Sequence, residues 1–370
     1  MQTQPLFNKI VFTVLLFLSI LSLSAQSSDG WYKVFTGKIG NYTATLHLHK
    51  TAKSYNGYLW FTQNQWPMPL YYNEPQKKSD SLVLSANSGP MAIVLSGIFL
   101  DDKIIGVSEL SKDGNTPKKA GFNLQLSTET SFTAFGYFYA DGSAKLPPAL
   151  KNESECSFKS STIWPENSVP NSLVFKNEIK QLLAIKTPVT DIGKSLNDEK
   201  NKMLLAWKKD NGKLTPKDAA DMGLSLSVEQ EDRVLVMYEN EKYITLAHYS
   251  FSYSGGAHGN FVTKLSSFNK KTGKKLKLAD IITSAGIAYF PRILEQVARL
   301  QYGVKNSTPL DQNGFLVNKI SPTENFYVTD SGIGFLYAPY EIKSFADGEV
   351  NLMVPFAAIK TYLQPGIGVK

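Results

Sequence analysis

The sequence predicts a mixed, two-part fold: an N-terminal all-β domain, built as an antiparallel meander or barrel, followed by a C-terminal α+β domain. Three observations carry this. Short apolar and polar alternations broken by turn residues run from Trp31 to about Leu150 with no helical period between them. A polar, proline-rich break follows, from Leu146-Pro147-Pro148 to Val169-Pro170. Apolar residues at helical spacing appear only beyond that break. With 42% hydrophobic and 19% charged residues over 370 positions, the chain has the apolar content for two cores, which excludes wholesale disorder and fibrous repeats.

In chain order, Lys9 precedes an apolar stretch from Ile10 to Leu23 that ends in Ser24-Ala25-Gln26, the pattern of a secretory signal peptide over residues 1–25. No later run reaches ~18 apolar residues, so the mature chain is expected to be soluble and exported, periplasmic or extracellular, with no stable membrane insertion. Losing Lys9 lowers the net charge from +7 to +6. The one cysteine, Cys156, can make no internal disulfide and lies far from the cut, which leaves no lipid anchor there; Glu155 beside it disfavours the thiolate, so its role is structural.

Within the all-β domain, 26–150, strands are expected at Tyr42–His49, Tyr58–Thr62, Pro69–Tyr72, Ser81–Leu84, Ala92–Phe99, Ile104–Val107, Phe122–Leu126 and Phe135–Tyr139. Asn56-Gly57, Asp101-Asp102 and Asp113-Gly114 carry hairpin chemistry. Residues 151–170 are expected to be a linker. In the α+β domain, 171–363, helices are expected over Leu173–Leu183 and Ser195–Lys209, and strands over Leu224–Glu229, Arg233–Tyr238, Tyr243–Tyr253 and Phe261–Phe268. A helix with the stripe Phe290, Ile293, Leu294, Val297 and Leu300 follows a helical turn at Ala279–Ile282. Strands at Asn325–Val328, Gly332–Leu336 and Glu349–Pro355 and a short helix at Phe356–Tyr362 close the domain, leaving 364–370 as a tail.

Reactive chemistry is sparse. His47 and His49 share a strand face, a spacing suited to a metal only if a third ligand joins them, and otherwise that of half-exposed strand residues. His248, in line with Ile244 and Leu246, reads as a hydrogen-bonded sheet histidine. His258 is different, because Tyr253-Ser254-Gly255-Gly256-Ala257-His258-Gly259-Asn260 places it in a loop whose glycines let the backbone turn sharply. Gly-x-Ser-x-Gly, His-Glu-x-x-His and zinc-type cysteine spacing are all absent, and no cofactor is implied. The Lys270–Lys275 run reads as a hairpin tip with solvated lysines, and without interleaved aromatics it gives no nucleic-acid partner. A second loop, Phe335-Leu336-Tyr337-Ala338-Pro339-Tyr340-Glu341-Ile342 with Phe345-Ala346-Asp347-Gly348, offers aromatics that meet the first loop if the fold allows it.

These motifs carry a resemblance. Ser252–Gly259, Thr272-Gly273 with Leu278-Ala279-Asp280-Ile281, the Phe335–Ile342 segment with Ala346-Asp347-Gly348, and Val354-Pro355-Phe356 look like the C-terminal domain of the RsiV-like lysozyme-sensing anti-sigma factor family. That domain of unknown function 3298, with its preceding deacetylase-associated domain, would cover about residues 165–363. The β-rich opening, Thr36-Gly37-Lys38-Ile39-Gly40, looks like N-terminal modules of Bacteroidetes envelope proteins.

The resemblance implies non-enzymatic recognition in the cell envelope, where the ligand of RsiV is a c-type lysozyme. The expected ligand here is a protein, with such a lysozyme foremost, or a peptidoglycan-type glycan. The cytoplasmic sigma-binding segment and membrane helix of the anti-sigma factors are not expected. Binding residues are expected to be Tyr253, Gly255, Gly256, His258, Asn260, Pro339, Tyr340, Glu341 and Asp347, and the acids Asp330, Glu341, Asp347 and Glu349 would offset the basic charge of a lysozyme. The alternative is an envelope polysaccharide-acting enzyme with His258 as base and Asp347 as orienter. A third possibility is a module that docks other envelope proteins through the β domain.

Overall fold

The computed structural model describes residues 30–52, 54–63, 66–75, 81–88, 91–112, 114–129, 131–186 and 189–367; the expected signal segment 1–25, the first residue of Asp113-Gly114 and the last three residues of the tail lie outside them. Eight antiparallel strands close a barrel: β1 (Trp31–Ile39), β2 (Tyr42–Lys50), β3 (Tyr55–Phe61), β4 (Met68–Asn73), β5 (Leu82–Ser88), β6 (Met91–Leu100), β7 (Lys103–Lys112) and β8 (Lys118–Leu126). Closure comes from β1, which pairs with β2 on one side and β8 on the other. Alternate residues such as Phe35, Leu46, Leu48, Leu59, Phe61, Leu84, Leu95 and Leu124 point inward and fill the barrel.

Two expectations change here. The eighth barrel strand is Trp31–Ile39, whose irregular alternation hid it, and the stretch expected in that place, Phe135–Tyr139, belongs to another sheet. Asn56-Gly57 is no turn but lies inside β3, where Gly57 has φ 152° and a Cβ would run into the His47 carbonyl. The reversal sits earlier, where the Thr51 and Ser54 backbones bond at 2.9 Å. Gly57→Ala should therefore cost about 1–3 kcal/mol, read as a lower urea midpoint at unchanged slope; a midpoint equal to the parent's would refute the close approach.

The second sheet has the order β13-β12-β11-β10-β9, from β9 (Phe135–Lys145), β10 (Glu155–Pro165), β11 (Val228–Glu239), β12 (Tyr243–Tyr253) and β13 (Asn260–Asn269). The expected linker at 151–170 is therefore largely strand, and the break in strand pairing falls after Leu126, not near 150. Only β10 and β11 pair in parallel, which requires a crossover, and α1 (Ser172–Leu182), α2 (Ile192–Asn211) and α3 (Pro216–Met222) supply it. Asp191 caps α2 by accepting from the Lys194 amide at 3.0 Å. Leu196 of α2 packs on Phe158 and Ala140, and Trp207 packs beside Cys156, so the helices cover one face of the sheet. The Cys156 thiol is buried, and burial together with Glu155 raises its pKa.

A third layer, β14 (Phe326–Val328), β15 (Gly332–Tyr337) and β16 (Val350–Pro355), packs on α5 (Ser284–Tyr302), which follows the short α4 (Leu278–Ile281). Phe290 and Leu294 of α5 meet Ile333, Phe335, Leu352 and Val354 in its core, whereas Leu300, expected in the same stripe, is 85% exposed.

The barrel docks on the five-stranded sheet through the outer face of β2 and β3. Thr45, His47, His49, Tyr58 and Trp60 point away from the barrel interior yet are buried, since Tyr137, Leu235 and neighbouring residues cover them. The half-exposed reading of His47 and His49 fails for this reason. His47 bonds to the Tyr32 hydroxyl at 2.8 Å, and His49 Nε2 accepts from the Val236 amide at 3.3 Å. No group of three metal-ligating side chains occurs among the described residues, so the pair has no third ligand. His248 is the buried, hydrogen-bonded sheet residue expected, with Nε2 2.8 Å from Asp232. Burial opposes ionisation of Asp232, but its bonds with His248 and Gln230 hold the carboxyl below its ordinary pKa.

Lys271, Lys274 and Lys275 are exposed, as expected of a solvated tip, but three of the four lysines in the run are also paired. Lys270 pairs with the fully buried Glu239 at 2.6 Å, Lys274 with Asp280 at 2.6 Å and Lys275 with Glu178 at 2.7 Å. These lysines tie the hairpin to the rest of the molecule.

Candidate functional site

The turn between β12 and β13 carries the glycines singled out in the sequence. Gly255 and Gly256 have φ 82° and 103°, conformations that side chains rarely adopt, and the Tyr253 hydroxyl donates to the Gly256 carbonyl at 3.1 Å. His258 Nδ1 lies 2.9 Å from the Gly259 carbonyl, its own neighbour, which fixes the ring and turns Nε2 outward. The imidazole stacks on Phe345 at 4.2 Å between centroids with 25° between planes.

Phe345 is the hub that joins the two loops. Its ring also meets Phe261 edge-on at 5.4 Å and Tyr340 at 5.7 Å. Tyr340 occupies the third position of a turn whose second residue is Pro339, with φ 69°, a region where glycine or asparagine is the ordinary occupant. Hydrogen bonds hold this strained residue: Glu341 N–H donates to the Ala338 carbonyl at 3.0 Å, Tyr340 N–H to the Lys343 carbonyl at 3.0 Å, and the Glu341 carboxylate accepts from the Ala338 amide at 2.9 Å. The result is a large aromatic side chain, 58% exposed, on a backbone that cannot readily relax.

The supporting electrostatics lie beneath. Lys343 is buried over the rings of Tyr302 and Phe315, donates to the Gly314 carbonyl at 3.1 Å and pairs with Asp347 at 3.2 Å. Asp347 also accepts from Ser344 Oγ at 2.6 Å, and this bond, with Lys343, lowers its pKa. The Glu349 carboxylate accepts from the Thr263 hydroxyl at 2.8 Å; its burial pushes the pKa up against that bond. The four acids expected to act together do not form one cluster. Glu349 faces inward, Asp330 accepts from Asn240 at 3.0 Å, and only Glu341 and Asp347 are exposed at the aromatic patch.

The structure thus brings together His258, Tyr340 and the exposed acids of the Pro339–Asp347 loop, with Gly255 and Gly256 shaping the partner loop and Asn260 exposed at the start of β13. Tyr253 is the exception, because it lines a trough with Ser157 and Glu229 and does not join the His258 stack. The strand period foretells this: Tyr249, Phe251 and Tyr253 share one face of β12. Phe345 and Phe261 complete the patch; the sequence places Phe345 in the second loop but not among the expected binding residues, and Phe261 was expected only as a strand residue.

The C-terminal region carries a DUF3298 domain: residues 279–357 match the family described as a protein of unknown function (DUF3298). That match includes the Pro339–Asp347 half of the patch and leaves out the His258 half. Among solved structures, the chain is similar to a member of the DUF3298 family from Bacteroides fragilis NCTC 9343, with 21% identity and a TM-score of 0.56 over 63% of this chain and 94% of that one. It is also similar to a DUF3298 family protein from Pseudomonas aeruginosa PAO1, with 14% identity and a TM-score of 0.44 over 64% of this chain and 98% of that one. The likeness to the first is one of fold. No curated protein matches the chain.

Proposed function

We propose that this chain is an exported, non-enzymatic binding protein of the cell envelope that recognises a protein ligand through the His258–Phe345–Tyr340 patch. One observation carries the reading: two loops more than seventy residues apart converge on a single aromatic stack whose outermost ring, Tyr340, is exposed on a clamped, strained turn. Rigid aromatic side chains with a polar tip lose little entropy on binding and dominate the energetics of protein contacts. The apolar Ile10–Leu23 stretch of the sequence supports export.

The resemblance to the RsiV-like family makes a c-type lysozyme the first ligand to try, and Glu341 and Asp347 at the patch are the acids that would face its basic surface. Catalysis through His258 draws less support. Its Nδ1 is turned to the Gly259 carbonyl, and Asp347 is engaged by Ser344 and Lys343, so the proposed base and orienter do not meet.

Titration calorimetry of residues 26–370 against a c-type lysozyme, at low and physiological salt, tests this. Saturable binding that weakens with salt is expected, and Tyr340→Ala should reduce the affinity by about thirtyfold, the ~2 kcal/mol of a hot-spot residue. No binding, or binding indifferent to Tyr340→Ala and His258→Ala together, would overturn the lysozyme reading. Saturation by soluble peptidoglycan fragments in place of lysozyme would assign the patch to a glycan.

A further inference from the structure

The face of the five-stranded sheet opposite the helices is only partly covered by the barrel. Two cavities open on it, of about 230 Å³ and about 540 Å³, and they share Asp141 and Lys159 as walls, so that they form one trough. The smaller lies where the β2–β3 turn and Asn56 of β3 overhang Tyr139, Glu231 and Arg233. The larger continues along Ser157 and Glu229 to Tyr253.

Strand pairing sets the spacing of the floor. Ser161, Arg233 and Tyr249 form one cross-strand row, Lys159, Glu231 and Phe251 the next, and Ser157, Glu229 and Tyr253 the third. Rows two residues apart at ~3.3 Å per residue extend the floor over about 13 Å, room for two or three pyranose rings.

The groups along it are preorganised. The Arg233 guanidinium lies 4.2 Å over the Tyr249 ring, donates to Asn56 Oδ1 at 2.6 Å and stands 3.4 Å from Glu231. Lys159 stands 3.5 Å from Glu229, and Lys145 stands 3.8 Å from Glu155 at the outer wall. Carboxylate, amide and guanidinium groups alternate with serine hydroxyls, and the acids Asp141, Glu155, Glu229 and Glu231 outnumber the cations Lys145, Lys159 and Arg233, which leaves a small acidic excess. Tyrosines border both ends.

We propose that this trough binds a neutral oligosaccharide of two or three rings. Charged groups held in place by their partners give a ligand strong hydrogen bonds, and the small acidic excess turns an anion away, the arrangement that suits a neutral polyol. Tyr139 and Tyr253 offer ring faces to the apolar side of a sugar. A peptide fits less well, because an extended chain gains most by pairing with a sheet edge, and the trough lies on the face, where the strands' main-chain groups are already paired with one another. The site is separate from the His258 patch and does not depend on what that patch binds.

The test is calorimetry of residues 26–370 with maltotriose, cellotriose and chitotriose, and with the anionic trigalacturonate. At least one neutral trisaccharide should saturate the protein at one equivalent, and trigalacturonate should not. Ser157→Trp, which fills the trough floor, should weaken binding at least about tenfold while the thermal midpoint stays at the parent value. If that variant does not fold, Tyr253→Ala carries the same expectation. No saturable heat with any neutral trisaccharide, preference for trigalacturonate, or full affinity in the folded trough variant would each overturn the proposal.

Discussion

Lys270→Met should destabilise the protein by about 3–5 kcal/mol, the cost of removing one partner from a buried ion pair. Glu239 is fully buried and Lys270 is 16% exposed, and their charges meet at 2.6 Å. The Glu239 carboxylate also accepts from the Thr133 amide at 2.8 Å and hydroxyl at 2.6 Å, while the ammonium donates to the Asn240 carbonyl at 3.0 Å and to the Ser131 carbonyl. Burial already pushes the Glu239 carboxyl up against the pull of Lys270, so without that cation only the two Thr133 bonds are left to offset its lost water. Urea unfolding of Lys270→Met and of the Glu239→Gln/Lys270→Met double variant checks the cause. The double variant should recover part of the loss, and a single variant within about 0.5 kcal/mol of the parent would show the pair to be dispensable.

The second large effect is acid lability. Burial, and then the charge of Lys270, pulls His47 down to about 3, and burial followed by the influence of His47 also lowers His49. Both rings are thus neutral in the folded protein, whereas an unfolded chain protonates them near ~6.5. Their contribution is complete above that pH and is lost as the pH falls, with the His47 share still declining towards about 3. At pH 4.5 the neutral His47 costs about 2–3 kcal/mol of stability relative to pH 7.5, and His49 adds to the loss in the same direction. His47→Asn, which retains a polar atom facing Tyr32, should be less stable than the parent at pH 7.5 but lose less on acidification. Parallel losses in the two proteins would sink this account.

These histidines also show where sequence reasoning stops. The alternation of Ala44, Leu46 and Leu48 with Thr45, His47 and His49 identified a strand with one apolar face, and the barrel interior confirms it. It could not show that a second sheet covers the polar face, because that contact joins residues nearly two hundred positions apart. The same limit explains Phe135–Lys145: its alternation marks a strand, but alternation says nothing about which sheet receives it. In the patch, His258 and the Pro339–Asp347 loop were legible because glycine and proline mark sharp turns. Phe345 was legible as an aromatic of the second loop, but not as the ring that joins the two, since an aromatic residue in a loop carries no address. Tyr253 followed strand parity into the trough.

The early break in strand pairing decides how the molecule can be divided. A truncation at residue 150, where composition shifts, would leave the first piece with β9 unpaired and its Ala140 and Ala144 stripped of α2, and would leave β10 of the second piece as a raw edge. Both are templates for intermolecular pairing, so such fragments should aggregate. Division between Leu126 and Phe135 leaves each hydrogen-bonded sheet whole. The barrel released in that way still presents the histidine and tyrosine face that the five-stranded sheet normally hides, a surface with its own tendency to self-associate.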